Sequence, residues 1–494
     1  MPAPSSSVRL ARASVRLARS LAPLDDAASL HLARRAEART LRRLRILERR
    51  LARLDPRALL PLVTACRSLV TALPVPLRRR VLHGPDLRGF LSEAETWCDI
   101  LERAAPGSDP VRLFDLVART EFLTTLVPGG RLDPGFRGRA RRLARARLQA
   151  LRGEVSALLL GLRLAHPRGA GPVMFRLTPR ADAEQGRPAD RVDLGAFGGP
   201  AGPLTIHLRP ERRRGAGARV SARLTSRALL LRQGRGPEEA FPLGALALPG
   251  PLPDGPLPRP ARRSVIPGTA IVLAPAVRSA RRALRVGREI PGLGGRLARG
   301  LRLVQLAWPE GAREIGRRTA MVVPVLERRL VSYSLAARPG VSFLNVQGKR
   351  TVDLADDLLH ETAHHLLHEA QEMADLLLRG PETEETQAFD SPWRQSRRPL
   401  HGILHGAFTF LFRAELFTRI LRARRRMPRV IGPLLGRGGA AFVARERRAE
   451  LSMMSRALRD LRTARGDRLL TPAGRTLVVR LTAWHRRLLS GGSR

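Results

Sequence analysis

The spacing of apolar positions changes twice along the chain. Between residue 26 and about residue 164, leucines recur at three- and four-residue steps among arginines and glutamates, as in the run 41–54. This period matches the α-helix and predicts a bundle of amphipathic helices. At 166–172 the composition shifts to Pro and Gly, and the helical period returns only after about residue 350. The pattern therefore predicts a helical start, an irregular middle and a helical end.

Short apolar runs between Pro- and Gly-rich stretches predict strands in the middle of the chain. The predicted strands are residues 204–208, 219–224, 228–231, 301–305, 321–326 and 341–346. The whole pattern predicts an α+β protein that is predominantly helical. It has a helical N-terminal region, a strand-containing middle and a mostly helical C-terminal region.

The helix predicted after the last strand carries the motif His-Glu-x-x-His, formed by His360, Glu361 and His364. Apolar residues recur along 359–377 at three- and four-residue steps, and a Gly-Pro pair at 380–381 ends the helix. Two histidines four residues apart lie on one face of a helix, so both imidazoles can bind the same metal ion. Glu361 is then placed beside the metal, within reach of a bound water or substrate.

Histidines are concentrated near this motif, since six of the eleven lie between residues 360 and 405. Two histidines from one helix leave a metal site incomplete, so a third ligand is expected. A later apolar helix supplies His405 as the first choice and His401 as the alternative. His365 and His368 do not form the motif pair that encloses Glu361, and we assign them structural roles.

The predicted strand 341–346 leads directly into the motif helix. This order is expected of a zincin-like half-domain, in which an edge strand can hold an extended peptide by backbone pairing. We therefore divide the chain into three parts. They are an Arg-rich helical domain at 1–165, a Pro/Gly-rich strand and loop region at 166–300, and a metal-binding catalytic domain at 301–494 that contains the zincin-like HExxH helix.

The formal net charge is +46, yet Lys349 is the only lysine among the 89 basic residues. Such a preference for arginine is typical of a GC-rich genome, so part of the charge reflects codon usage. The remaining positive potential should attract a polyanion or an acidic peptide. Aromatic residues make up only 4% of the chain, and no known nucleic-acid-binding module is recognisable. We therefore expect no nucleic-acid partner despite the charge.

The sequence contains no pattern of a membrane or secreted protein. No apolar run reaches the roughly 18 residues that a membrane span needs, and the first residues lack the apolar core of a secretory signal. Cys66 and Cys98 are the only cysteines, and both lie in predicted helices. Two such thiols fit a reducing compartment better than a disulfide framework. We expect a soluble cytoplasmic protein with no membrane partner.

Several short motifs in the C-terminal third resemble one known family. They are Ser332-Tyr333-Ser334 with Pro339-Gly340, Leu359-His360-Glu361-Thr362-Ala363-His364, Ser391-Pro392-Trp393-Arg394, and Arg398-Pro399-Leu400-x-Gly402-x-Leu404-His405-Gly406. In this combination they resemble the HExxH motif-containing peptide modification proteins, which include 2-oxoglutarate-dependent HExxH-type peptide β-hydroxylases. The resemblance does not cover the Arg-rich helices or the Pro/Gly-rich middle.

The resemblance implies an iron(II) oxygenase that acts on a ribosomally made precursor peptide in natural-product biosynthesis. In this class, His360, His364 and His405 would hold one face of the metal and leave positions for a 2-oxo acid and dioxygen. The far carboxylate of 2-oxoglutarate needs a fixed set of donors, which the resemblance assigns to Arg394 or Arg398.

Two other classes of protein remain open. A zinc metallopeptidase would use Glu361 as general base and a downstream glutamate, Glu384 or Glu385, as third ligand. These glutamates lie in a turn-like acidic stretch rather than on a helix. A non-catalytic Arg-rich binding protein would contain no stoichiometric metal.

Overall fold

In the computed structural model, the chain forms two compact units. The first unit contains residues 1–36 and 265–494, and the second contains residues 37–264. The structure describes residues 14–15, 17–18, 21, 26–54, 59–73, 75–118, 133–165, 173–176, 219–224, 228–233, 238–242, 251–252, 255–256, 264–274, 276–280, 283–286, 290–327, 331–336, 339–374, 376, 388–394, 396–463 and 469–491. Residues 1–36 thus group with the C-terminal part of the chain, and the division into three parts at 165 and 300 stays a prediction.

Helices of the second unit pack around one apolar core. They are α1 (Asp26–Leu54, which belongs to this unit after Ala36), α2 (Leu60–Ala72), α3 (Val75–His83), α4 (Pro85–Arg103), α5 (Pro110–Ala118) and α6 (Phe136–Ala165). Leu44, Leu47 and Leu51 of α1 are fully buried, as their helical spacing predicts. Arg43 of α1 forms an ion pair with Glu95 of α4, with Nη2 and Oε2 2.8 Å apart. The leucine period thus predicts both the helices and their buried face.

Short strands follow the helices of the second unit. They are β1 (Val173–Arg176), β2 (Arg219–Leu224), β3 (Ala228–Gln233), β4 (Glu238–Pro242), β5 (Pro251–Leu252) and β6 (Gly255–Pro256). The first four form one antiparallel sheet in the order of the sequence, and the last two pair with each other. The sheet confirms the strands predicted at 219–224 and 228–231, whereas the predicted strand 204–208 lies outside the described residues.

The first unit consists of helices, one mixed sheet and one separate two-stranded hairpin. Its strands are β7 (Ser264–Val265, of which Val265 belongs to this unit), β8 (Val272–Leu273), β9 (Val277–Ala280), β10 (Ala283–Val286), β11 (Met321–Val325), β12 (Tyr333–Ser334), β13 (Val341–Asn345), β14 (Ala388–Ser391) and β15 (Ser396–Pro399). Its helices are α7 (Leu293–Ala307), α8 (Pro309–Arg318), α9 (Thr351–Gln371), α10 (Leu400–Arg426), α11 (Pro428–Leu435), α12 (Gly439–Arg462) and α13 (Pro472–Ser490).

The sheet of the first unit has the order β10-β9-β11-β13-β12, and β8 and β7 attach beside β11. β11 runs parallel to β13, whereas the edge strand β12 is antiparallel to β13. All residues of β11 and β13 are buried, because helices cover the sheet. These two strands confirm the predictions at 321–326 and 341–346. β14 and β15 form a separate antiparallel hairpin.

The predicted strand 301–305 is wrong, because these residues lie inside helix α7. Leu301 and Leu303 alternate with arginine and valine over a short span, which imitates a strand. Over a longer span, Leu297, Gly300 and Val304 recur with the helical period and are buried. A Cβ at Gly300 would lie 3.1 Å from a backbone nitrogen of α9, so glycine permits the close approach of the two helices.

A buried polar network fixes residues of the N-terminal segment within the first unit. Ser29 Oγ donates to Glu314 Oε2 at 2.7 Å, and Arg318 Nη1 donates to Ser29 Oγ at 2.9 Å. Arg318 also pairs with Glu314 and donates from Nε to Glu369 Oε2 at 2.8 Å. Glu369 belongs to α9, so within the first unit this network joins the part of α1 around Ser29 to the helix that carries the motif.

The secondary structure confirms the predicted class, a predominantly helical α+β protein. Among the helices that the structure describes, none combines the length and the apolar character that crossing a bilayer would require.

Candidate metal centre

Helix α9 carries the His-Glu-x-x-His motif and is buried along most of its length. Its first turn is closed by Asp353, whose Oδ2 accepts the backbone N–H of Arg350 at 2.9 Å. Leu359, Ala363 and Leu366 are buried at helical spacing and face the core. The predicted helix and its apolar face are therefore present as far as Gln371, where the helix ends earlier than predicted. The predicted Gly-Pro stop at 380–381 lies outside the described residues.

Helix α10 packs against α9 and begins directly after Pro399. Pro399 has an extended backbone conformation, which sets the direction of the first turn. Leu404 and Phe408 are fully buried on the face that meets the core, and His405 between them is 6% exposed. Packing of the two helices thus directs His405 toward the polar positions of α9.

Three histidines from the two helices converge on one point. Nitrogen atoms of His364, His368 and His405 all lie within 4.8 Å of one another, so the three imidazoles could hold a metal ion. His364 Nδ1 and His405 Nδ1 are 3.4 Å apart. His405 Nε2 lies 2.9 Å from Gln371 Oε1, which can orient the ring. Among the described residues, this is the one group of its kind.

The structure brings together two of the three predicted ligands, His364 and His405. The ring centroid of His360 lies 5.0 Å from that of His364, but His360 does not belong to the group. Its ring packs instead on Phe410, with centroids 4.7 Å apart. His368, to which we assigned a structural role, occupies the third position of the group.

The two remaining histidines near the motif differ in position. His401 is exposed, and its ring centroid lies 4.1 Å from that of His405. His365 is buried on another face of α9, where its Nε2 lies 3.2 Å from Ser342 Oγ of β13. His365 therefore connects α9 to the sheet and does not belong to the histidine group.

Burial favours the neutral form of His364 and His405. Burial, followed by the positive charges of the neighbouring His368 and His401, lowers the pKa of His364 to about 3. Burial first, and then the other histidines, hold the pKa of His405 well below its usual range. The pKa of His360 is lowered for the same reasons. Neutral imidazoles have a free lone pair, which metal binding requires.

Glu361 lies in a buried environment next to the histidines. It is 1% exposed, and its Oε2 has no hydrogen-bond partner among the described residues. Burial raises the pKa of Glu361 to about 8, Asp357 and Asp356 raise it too, and the nearby Ser334 hydroxyl opposes the rise. The unpartnered oxygen is available for a metal-bound water or a substrate group.

The two arginines assigned by the resemblance have different surroundings. Arg394 is exposed in the turn between β14 and β15, and its charge acts on His360, Glu361 and His364, whose pKa values it lowers. The side chain of Arg398 lies instead along α10. A Cβ added at Gly402 of this helix would lie 3.4 Å from the Cβ of Arg398. Of the two arginines, Arg394 is therefore the one whose charge acts on the histidines. Glu384 and Glu385, the ligands of the peptidase alternative, lie outside the described residues.

A buried ion-pair network beside the site was not predicted from the sequence. Arg413 of α10 pairs with Asp356 of α9, with Nε and Oδ2 2.7 Å apart, and with Glu450 of α12. Trp393 Nε1 donates to Glu450 Oε2 at 3.0 Å. Burial raises the pKa of Asp356 to about 7, and Arg413 opposes the rise. No sequence signal marks Arg413, Asp356 or Glu450, because arginine is abundant along the whole chain and acidic residues occur throughout it.

His368 could have been found from the sequence, because it stands four residues after His364, just as His364 stands four residues after His360. Helical spacing alone does not choose between the two pairs. The chain matches no protein-family model and no curated protein sequence. The site is therefore defined by its own geometry, as a candidate metal centre formed by imidazoles of two helices.

Proposed function

We propose that this protein is an iron(II)- and 2-oxoglutarate-dependent oxygenase that hydroxylates a side chain of a ribosomally made precursor peptide. The observation that carries the proposal is the group formed by His364, His368 and His405 from two packed helices. The resemblance of the surrounding motifs to peptide β-hydroxylases supports the reaction class and the peptide substrate.

The chemistry of the donor set fits iron(II). Imidazole is a common ligand of iron, and three protein ligands on an octahedral ion leave three positions for other molecules. His364 and His405 belong both to the predicted set and to the observed group. The third imidazole is His360 in the predicted set and His368 in the observed group, and both lie on α9. When bound, iron(II) and 2-oxoglutarate would reduce dioxygen to the oxidant, with release of carbon dioxide and succinate.

The side chains around the group have distinct roles in this proposal. Arg394 would bind the far carboxylate of 2-oxoglutarate, since a guanidinium presents paired N–H donors that match a carboxylate. Glu361 would accept a hydrogen bond from a ligand or substrate beside the metal, because its Oε2 is buried and has no partner among the described residues. Gln371 holds the ring of His405 through Nε2.

Anaerobic reconstitution tests the proposal directly. Purified protein is loaded with iron(II) without oxygen, and 2-oxoglutarate is then added. We expect the weak visible charge-transfer band of a 2-oxo acid chelated to iron(II). Protein that binds iron but gives no such band contradicts the proposal. Loading with zinc is the matched control, because zinc has no redox-active electrons and gives no band.

A further inference from the structure

The ring of Trp393 lies between the turn of the β14–β15 hairpin and helix α10. We call this position, which is bounded by Phe410, Glu450 and Gly406, the seat of Trp393. Its ring is stacked on Phe410, with centroids 4.6 Å apart and planes inclined by 10°. Its indole N–H donates to Glu450, which is 1% exposed. Stacking and a hydrogen bond to a buried carboxylate together fix both the plane and the direction of the ring.

Glycine at position 406 makes this seat possible. A Cβ on Gly406 would lie 2.6 Å from Cζ3 and 2.8 Å from Cε3 of Trp393, which is closer than real Cβ contacts allow. Gly402, one turn earlier on the same helix, differs. There a Cβ would make an ordinary contact of 3.4 Å with the Cβ of Arg398. Of these two glycines, Gly406 is the one that the position of the indole requires.

The seat is connected to both helices that carry the histidines. Glu450, which accepts the indole N–H, is held by Arg413, and Arg413 pairs with Asp356 one turn before His360. On the other side of the indole, Phe410 contacts the ring of His360. The position of Trp393 is therefore defined relative to α9 and α10 together.

Arg394 follows Trp393 directly in the turn of the hairpin. It is exposed and forms no ion pair or hydrogen bond with any residue in the described part of the chain. Its position therefore depends on the backbone of the turn, and the turn is held by the neighbouring indole.

We propose that Trp393 is a positioning residue, seated over Gly406, that holds Arg394 above the histidine group for the far carboxylate of the anionic co-substrate. The identity of the co-substrate, a 2-oxo dicarboxylic acid, rests on the proposed function. The seat explains why Ser-Pro-Trp-Arg and Gly-x-x-His-Gly occur together in this chain. The first motif supplies the indole and the arginine, and the second supplies the glycine beneath the indole and the ligand His405.

The test compares two identical substitutions on one helix, Gly406→Ala and Gly402→Ala. Each variant is loaded anaerobically with iron(II), and the Kd of 2-oxoglutarate is measured by calorimetry together with the iron content. We expect Gly406→Ala to weaken 2-oxoglutarate binding about tenfold, the worth of one charged hydrogen-bonded pair. Gly402→Ala should bind normally, and both should keep their iron. Equal Kd values for the two variants overturn the proposal.

A double-mutant cycle shows whether the effect runs through the indole and the arginine. In an Arg394→Ala or a Trp393→Ala background, Gly406→Ala should cause no further loss of affinity, because the interaction is already absent. Additive losses overturn the proposal. Trp393→Phe keeps the stacked ring without the N–H and should bind more tightly than Trp393→Ala. It also serves as the test variant where Gly406→Ala does not fold.

Limited trypsin digestion gives a readout that does not depend on the co-substrate. Release of the hairpin should speed cleavage after Arg394 in Gly406→Ala but not in Gly402→Ala. Wild-type protein that binds iron without binding 2-oxoglutarate contradicts the proposed function, and the cleavage rates then still decide the role of Trp393. Equal cleavage rates in the two variants overturn the positioning role.

Discussion

His364 and His405 lie with their Nδ1 atoms 3.4 Å apart, although 41 residues separate them in sequence. The first belongs to α9 and the second to α10, so the distance is set by the packing of two helices. This relationship makes the site more than a motif on one helix. It also determines which histidine substitutions should remove a metal ion.

We expect His364→Ala, His405→Ala and His368→Ala each to lower metal affinity by more than about 100-fold, because each removes one of three converging ligands. His365→Ala should keep the metal, since this ring faces β13. Elemental analysis after dialysis against a fixed free metal concentration measures the difference. Loss of metal in His360→Ala, with metal retained in His368→Ala, would instead establish the motif pair His360 and His364 as the ligands.

Glu361→Gln separates the oxygenase from the peptidase. In an oxygenase no water need be deprotonated, so the variant should keep iron and still convert 2-oxoglutarate to succinate at a measurable rate. In a zinc peptidase the carboxylate accepts the proton of the attacking water, and its loss should cost roughly 10²–10⁴-fold in rate. Succinate formed per enzyme, with and without peptide, is the measurement. Peptide cleavage by the wild type without 2-oxoglutarate, absent in the variant, would establish the peptidase.

Arg318→Ala should destabilise the first unit by about 3–5 kcal/mol, because it removes the guanidinium that two buried carboxylates share. Arg317 still pairs with one of them, Glu314. These carboxylates are Glu314 and Glu369, each 1% exposed. Arg299 of α7 is exposed, and its replacement by alanine is the control, with an expected change within about 0.5 kcal/mol. Urea unfolding followed by circular dichroism gives both values. A similar midpoint for the two variants would show that the network contributes little to stability.

Cys66 and Cys98 should resist thiol reagents in the folded protein. Both side chains are fully buried, and burial raises the pKa of each thiol to about 12. A raised pKa reduces the thiolate fraction at pH 8, and the thiolate is the reactive form. We expect no labelling by a disulfide-exchange reagent in native buffer and two labelled thiols in denaturant. Rapid labelling of one thiol in native buffer would place it at the surface.

Helices were the elements best predicted from the sequence. In α1 the leucines stay on one face over many turns, and in α9 the apolar face and the motif histidines follow the same period. Such patterns reflect local geometry, which neighbouring residues determine together. The error at 301–305 has the same origin, since a five-residue window contains too little of the helical period.

The sequence by itself determined that His360, His364 and His368 share a helix, because residues four apart on a helix lie on the same face whatever surrounds them. Which of these rings meets His405 was decided only by tertiary structure, since it depends on how α9 and α10 are rotated against each other. The same holds for Arg413, Glu450 and the seat of Trp393. Their partners are distant in sequence, and a chain rich in arginine gives no local sign of which charges become buried.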